Sequence, residues 1–338
     1  MTHLNHELSL NTKTAQTAQT APNWRISIAE RWYIDKRLKG LTRFALAITL
    51  LNILGHVWLG FEQSWITPFV AIGAAYFTEF FAESAQAYAD GRRPRYMGRP
   101  GTVVAFFLSA HISGLAVGML LFAAEQLWLV AFASSLAVAS KWLIRVPVYL
   151  PDGRTGSRHV LNPSNFGITA TLLLYPSVGI APPYQFAENT SGALDWFLPF
   201  IVIVSGSLLN TKLTGRMILI GAWVAAFAGQ AVLRSFINDT PLVAGLVPMT
   251  GFAFILFSFY MITDPATSPA GARNQVLFAM AVAAAYALFM ELHIVFGLFY
   301  ALTLVTALRG IGLFLQFRLE NSPASALQLA RRPSEEPK

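Results

Sequence analysis

The chain has 338 residues, of which 55% are hydrophobic and 12% charged, with a formal net charge of +7 and a mean hydropathy of +0.52. Apolar residues far exceed what one soluble core can hide, so the composition excludes an ordinary globular domain and describes an integral membrane protein. Cysteine is absent, which excludes disulfides, zinc-thiolate sites, iron–sulfur clusters and c-type haem attachment as properties of this chain.

Residues 1–23 are rich in Thr, Gln, Asn and Ala without periodicity, and are expected to be disordered. Residues 24–40 set Trp24, Ile28 and Trp32 against a charged remainder, which fits an interfacial amphipathic segment or a charged lead-in to the first span. A helical crossing needs about 20 predominantly apolar residues. Windows of that kind fall near 42–61, 66–88, 101–123, 126–148, 162–177, 196–211, 216–237, 241–262, 272–291 and 294–316, giving an all-α membrane domain of about ten helices over 41–316. Residues 317–338 form a polar tail. No small-residue cleavage site follows the first window, so it reads as a retained span.

The cations test this count. With both termini in the cytoplasm, every Lys and Arg except Arg234 falls toward one side, a strong positive-inside bias, and the cell's inner (plasma) membrane is the expected location. The positive charge is therefore topological, with the lipid bilayer as partner and no nucleic acid, because the cations are spread through short loops.

Span five opens with "LNPSNFG", where Asn162 is placed to cap a short helix starting at Pro163, with Ser164, Asn165 and Phe166 in its first turn. The stretch "MITDPATSP" repeats that grammar, with Asp264 before Pro265 and Thr263, Thr267 and Ser268 around an expected helix start. Two helix N-termini meeting on one face would suit an anionic or polar ligand; well-capped helix starts beneath polar loops are the plainer alternative.

Ionisable residues inside spans are costly unless paired or hydrated. Glu79 and Glu83 lie one turn apart in span two, and Lys141 and Arg145 one turn apart at the end of span four, so the two sets read as an ion-pair group or an ion site. His56 and His111 read as hydrogen-bonded structure in preference to a haem pair. "LLNTKLTGRM" reads as a short basic loop, and Thr250 with Gly251 as a packing point in span eight. No Walker loop, dinucleotide fingerprint, hydrolytic triad or metal-ligand pattern is present, and the catalytic residues are unassigned.

The motifs "NPSNFG", "SGALD" and "YMITDPATSP" in a many-span chain resemble the Rnf-D/Nqr-B family, the membrane components shared by the Rnf electron-transport complex and the sodium-translocating NADH:quinone reductase. "HVLNPSNFGI" and "PPYQFAENTSGALDW" are most similar to the Rnf-D-like membrane proteins associated with enediyne biosynthesis, and the resemblance covers roughly residues 40 to 316. It implies two five-helix halves of inverted topology, related to urea-transporter-like architecture, and electron transfer through flavin with redox partner proteins and quinone. In that family an FMN is esterified to the Thr of an "SGAT" motif; here Ser191, Gly192 and Ala193 are followed by Leu194, which has no hydroxyl. The expectation is therefore FMN or riboflavin held without a covalent bond, near Asn162, Ser164, Asn165, Phe166, Thr263, Asp264, Thr267 and Ser268. A cofactor-free permease or channel for a small solute or natural product, and a scaffold subunit, are the alternatives.

Overall fold

The computed structural model describes residues 28–149, 155–182, 186 and 188–321. The predicted disordered tail, the first residues of the interfacial segment and nearly all of the C-terminal tail lie outside them. The chain divides into two units at Lys39 and Gly40, and the second holds the contacts described below.

Helix α1 runs Ile28–Leu54 and ends in a π-helical turn, Gly55–Leu59. Then come α2 (Thr67–Ala89), α3 (Pro100–Leu120), α4 (Leu127–Leu143), α5 (Pro163–Leu174) and α6 (Ala193–Leu209), the last also closing in a π turn, Asn210–Thr214. Helix α7 spans Met217–Asn238, and α8 (Leu242–Leu246) and α9 (Phe252–Leu256) are short. Helices α10 (Ala272–Glu291) and α11 (Gly297–Glu320) complete the set. The protein is an all-α membrane protein. Among the described residues six helical stretches are long and apolar enough to cross a bilayer, or seven if the bent α8–α9 pair counts as one. Helix α2 has the length but carries Glu79, Glu83, Ser84 and Gln86, while α4 has 17 residues and α5 only 12.

Two predicted spans differ from the structure. Span eight is not one helix: its segments Leu242–Thr250 and Phe252–Met261 meet at 67°. Gly251 is extended at the junction, with φ −79° and ψ 143°, and the Thr250 hydroxyl turns back to donate to the Val247 carbonyl at 2.8 Å. Span four stops at Leu143, five residues short of expectation, because Arg145–Tyr149 pairs as strand β2 with β3, Thr155–His159. The run Val146-Pro147-Val148 explains the stop, since Pro147 has no N–H for a helix and disfavours helical backbone at the residue before it. A second small pair joins Leu121–Phe122 (β1) to Gly179–Ile180 (β4), antiparallel.

Close approaches between elements are made where a side chain is missing. A Cβ on Gly167 of α5 would lie 2.3 Å from the Ala133 carbonyl of α4, so these helices approach so closely only because the residue is glycine. A Cβ on Gly310 of α11 would meet Val160 at 2.7 Å. That contact brings Arg309 beside the strand carrying Arg158. One large apolar core runs through Trp223, Phe227, Phe254 and Phe257, whose rings meet at 4.7–5.7 Å.

A candidate ligand site at the 264–268 turn

The start of α5 forms as its sequence dictates. Asn162 sits at the N-cap with φ −65° and ψ 121°, and its Oδ1 accepts from the Asn165 N–H at 3.1 Å and from the Ser164 hydroxyl at 3.1 Å. Its Nδ2 donates to the Met261 carbonyl at 3.0 Å, immediately before the second motif. The "NPSN" and "TDPATSP" blocks, about a hundred residues apart in sequence, are therefore neighbours.

Asp264 does not start a helix. The expected second helix N-terminus is absent, because α10 begins only at Ala272, after Gly271. The Asp264 carboxylate instead closes a turn, accepting from the Ala266 N–H at 3.1 Å and the Thr267 hydroxyl at 3.0 Å. The Ser268 hydroxyl donates to the Asp264 carbonyl at 2.7 Å, and Thr263 donates back to Phe259. Two prolines, Pro265 and Pro269, keep this stretch from continuing as helix. Thr263, Thr267 and Ser268 are all buried.

The frame around the turn comes from Gln275, Arg158 and Arg309, which the sequence did not single out, and from Arg216 of the basic loop "LLNTKLTGRM". Gln275, fully buried, accepts from the Leu219 N–H at 3.0 Å and donates to the Gly215 and Ala270 carbonyls, fixing the start of α10 against the start of α7. Three arginines reach the turn from three elements. Arg158 of β3 donates to the carbonyls of Pro265 at 2.7 Å and of Ala266, Arg216 donates to the Ser268 hydroxyl at 2.8 Å, and Arg309 of α11 donates to the Thr267 carbonyl at 2.9 Å. The charges of Arg158 and Arg216 both bear on Arg309. Carbonyl oxygens are neutral acceptors and do not neutralise Arg158 or Arg309. Among the described residues no carboxylate lies within ion-pair distance of Arg158 or Arg309.

Of the sequence-selected residues, most polar atoms are used within the turn itself. The exception is Asn165, whose Nδ2 donates to the Phe299 carbonyl and the Thr303 hydroxyl while its buried Oδ1 has no partner. Phe166 is not an open platform: it packs against Val146, Val160 and Leu161.

The other predicted group pairs as expected at Glu79 and Lys141 but not at Glu83 and Arg145. Glu79 pairs with Lys141 at 2.8 Å, and the Trp142 indole N–H and the Ser109 hydroxyl complete the two ends. Glu83 does not pair with Arg145. The loop after α2 folds back so that Arg92 and Arg95 each reach Glu83 at 2.6 Å, and the Arg95 N–H adds a bond at 2.8 Å. Arg145 instead grips the Lys141 carbonyl, the Ser157 hydroxyl and the Ser157 carbonyl. Burial, then the charge of Arg95, lowers the pKa of its guanidinium from the ordinary value. The sequence paired the charges by span because a loop that doubles back leaves no periodic signal.

His56 and His111 both hydrogen-bond within the protein, while the buried His56 Nε2 has no partner among the described residues. His111 lies between the Thr49 and Tyr76 hydroxyls at 2.8 and 2.9 Å, and His56 Nδ1 bonds the Asn52 carbonyl one turn earlier. No group of three or more His, Cys, Asp or Glu suited to a metal occurs among the described residues. At the "SGALD" segment, Thr190 donates to the Asp195 carboxylate and Leu194 is exposed. No protein-family model matches the chain, and no curated protein is similar to it in sequence.

Proposed function

We propose that this chain is a multi-pass subunit of the Rnf-D/Nqr-B kind, taking part in flavin-linked electron transfer in the cell's inner membrane, with FMN or riboflavin held non-covalently at the 264–268 turn. The observation that carries the reading is the bond from Asn162 to the Met261 carbonyl, which joins the two motif blocks on which the resemblance rests. The donor-rich guanidinium groups around the turn fit an anionic group, and the unpartnered Asn165 Oδ1, an acceptor, fits a ligand N–H or O–H. A bound flavin supplies the redox chemistry; the protein's part is to orient it, hydrogen-bond it and exclude water. Redox partner proteins and quinone complete the reading.

A repeated detail supports two halves of five helical segments each. Helices α1 and α6 both end in a π turn followed by a left-handed glycine. In the first, the Gly60 and Phe61 N–H groups donate to the Gly55 carbonyl; in the second, the Gly215 and Arg216 N–H groups donate to the Asn210 carbonyl. The glycines have φ of +89° and +69°, which other residues adopt only with strain.

The test is the absorption of the purified, detergent-solubilised chain. The oxidised isoalloxazine bands, lost on acid denaturation and dialysis, are the expected result; a folded, colourless protein refutes the reading. The permease reading draws on a separate observation, a 12-residue α5 and a broken segment ending at Met261, whose carbonyl accepts from the α5 cap Asn162, since discontinuous helices line solute sites in transporters. Solute flux in proteoliposomes by a colourless protein is its signature.

A further inference from the structure

We infer that Arg158, Arg216 and Arg309 form a receptor for a phosphate monoester at the 264–268 turn. The inference deepens the reading above and rests on this turn being the ligand site. It distinguishes FMN from riboflavin, which differ by that phosphate.

Three features carry it. The first is convergence: strand β3, the residue before α7, and α11 each deliver one guanidinium to four consecutive residues, Pro265 to Ser268. The second is charge. Arg158 and Arg309 have no carboxylate partner among the described residues, and the turn's own carboxylate, Asp264, is already held by Ala266 and Thr267. A site that gathers positive charge this way is stabilised by a bound anion. The third is unused donor capacity. Arg158 bonds the turn through Nε and Nη2, leaving Nη1, and Arg309 bonds through Nη1, leaving Nε and Nη2 without hydrogen bonds among the described residues. Each guanidinium carries five N–H donors in a planar fork matched to phosphate oxygens. The turn carbonyls anchor one side of the fork and set the other.

The close packing of Gly310 on Val160 gives this arrangement a structural cause, since a larger residue there would separate α11 from the strand that carries Arg158. Arg216 is held by its bonds to the Ser268 hydroxyl and the Thr214 carbonyl, so its approach is fixed by the left-handed Gly215 before it. Ser268 is the shared hinge of the cluster, accepting from Arg216 while donating to Asp264.

The experiment is equilibrium dialysis of the full-length chain in detergent against FMN, riboflavin and inorganic phosphate in turn. The wild type is expected to bind FMN at least about tenfold more tightly than riboflavin, and inorganic phosphate is expected to compete with FMN but not with riboflavin. Arg158→Gln and Arg309→Gln should each reduce FMN binding by roughly tenfold and leave riboflavin binding unchanged. Arg158→Lys and Arg309→Lys, which keep the charge but lose the fork, should fall between, and serve if the glutamine variants do not fold. Equal binding of FMN and riboflavin, unaffected by phosphate, overturns the phosphate receptor while leaving a flavin site in place. Phosphate binding that depends on the arginines, with no binding of either flavin, upholds the receptor and overturns the flavin reading. A folded wild type that binds none of the three overturns both. Protein-bound FMN whose affinity is unchanged in all four variants places the phosphate elsewhere and also overturns the receptor.

Discussion

Lys141→Met is the sharpest test of how the bundle carries charge. Lys141 and Glu79 meet at 2.8 Å with side chains 9% and 7% exposed, so each has given up its hydration for the other. Removing the ammonium leaves a carboxylate among helices α2, α3 and α4 whose one remaining donor among the described residues is the Trp142 indole N–H at 3.2 Å. Arg145 is held by the Lys141 and Ser157 carbonyls and does not replace it. Stranding one member of a buried pair costs about 3–5 kcal/mol. For a chain of this size that lowers the apparent melting midpoint on the order of 5–10 °C, measured in one detergent at one scan rate. The double variant Lys141→Met with Glu79→Met removes both charges and should recover to within about 2 kcal/mol of wild type, or exceed it. Two single variants that each leave the midpoint unchanged, or a double variant whose loss is the sum of the singles, would refute a buried, mutually compensating pair.

Other perturbations follow from the same contacts. Gly310→Ala places a methyl group against Val160 where 2.7 Å is available, and should cost about 1–3 kcal/mol by overpacking, partly offset by about 1 kcal/mol of helix propensity; thermal denaturation measures it. Asp264→Asn keeps an amide oxygen for the Ala266 N–H, so thermal stability should change by less than about 1 kcal/mol; a large loss of flavin binding at unchanged stability would assign the carboxylate to the ligand and not only to the turn. Arg234→Ala breaks an exposed pair with Glu291 and should leave the melting midpoint nearly unchanged, with high salt reducing any difference further.

The sequence made the membrane class, the positions of most helical segments and the cap at Asn162 legible, because each is written locally, whereas only six or seven of the ten expected spans are long and apolar enough to cross among the described residues. The break at Gly251 was read as a packing point, since a Thr-Gly pair inside an apolar run supports either a close contact or an interruption. The β2–β3 hairpin was hidden inside the apolar tail of span four, where Val146, Pro147 and Val148 continue the hydropathy but not the helix. Ion partners were misassigned for Glu83 because Arg92 and Arg95 return to α2 through a loop. The arginines at the 264–268 turn could not be seen together, as they lie on three elements that meet only when the chain is folded. For Asp264 the likeness between two Xaa-Pro motifs misled: an N-cap and an Asx-type turn share the same residues, and Pro269 soon after decides for the turn.

The most direct test of the central claim is the spectrum of the purified wild-type chain, followed by analysis of what acid releases. The predicted result is a flavin chromophore that leaves the denatured protein completely, as FMN, with no flavin retained at the segment containing Leu194. A colourless, folded and monodisperse protein, or a flavin that stays attached after denaturation, would contradict it.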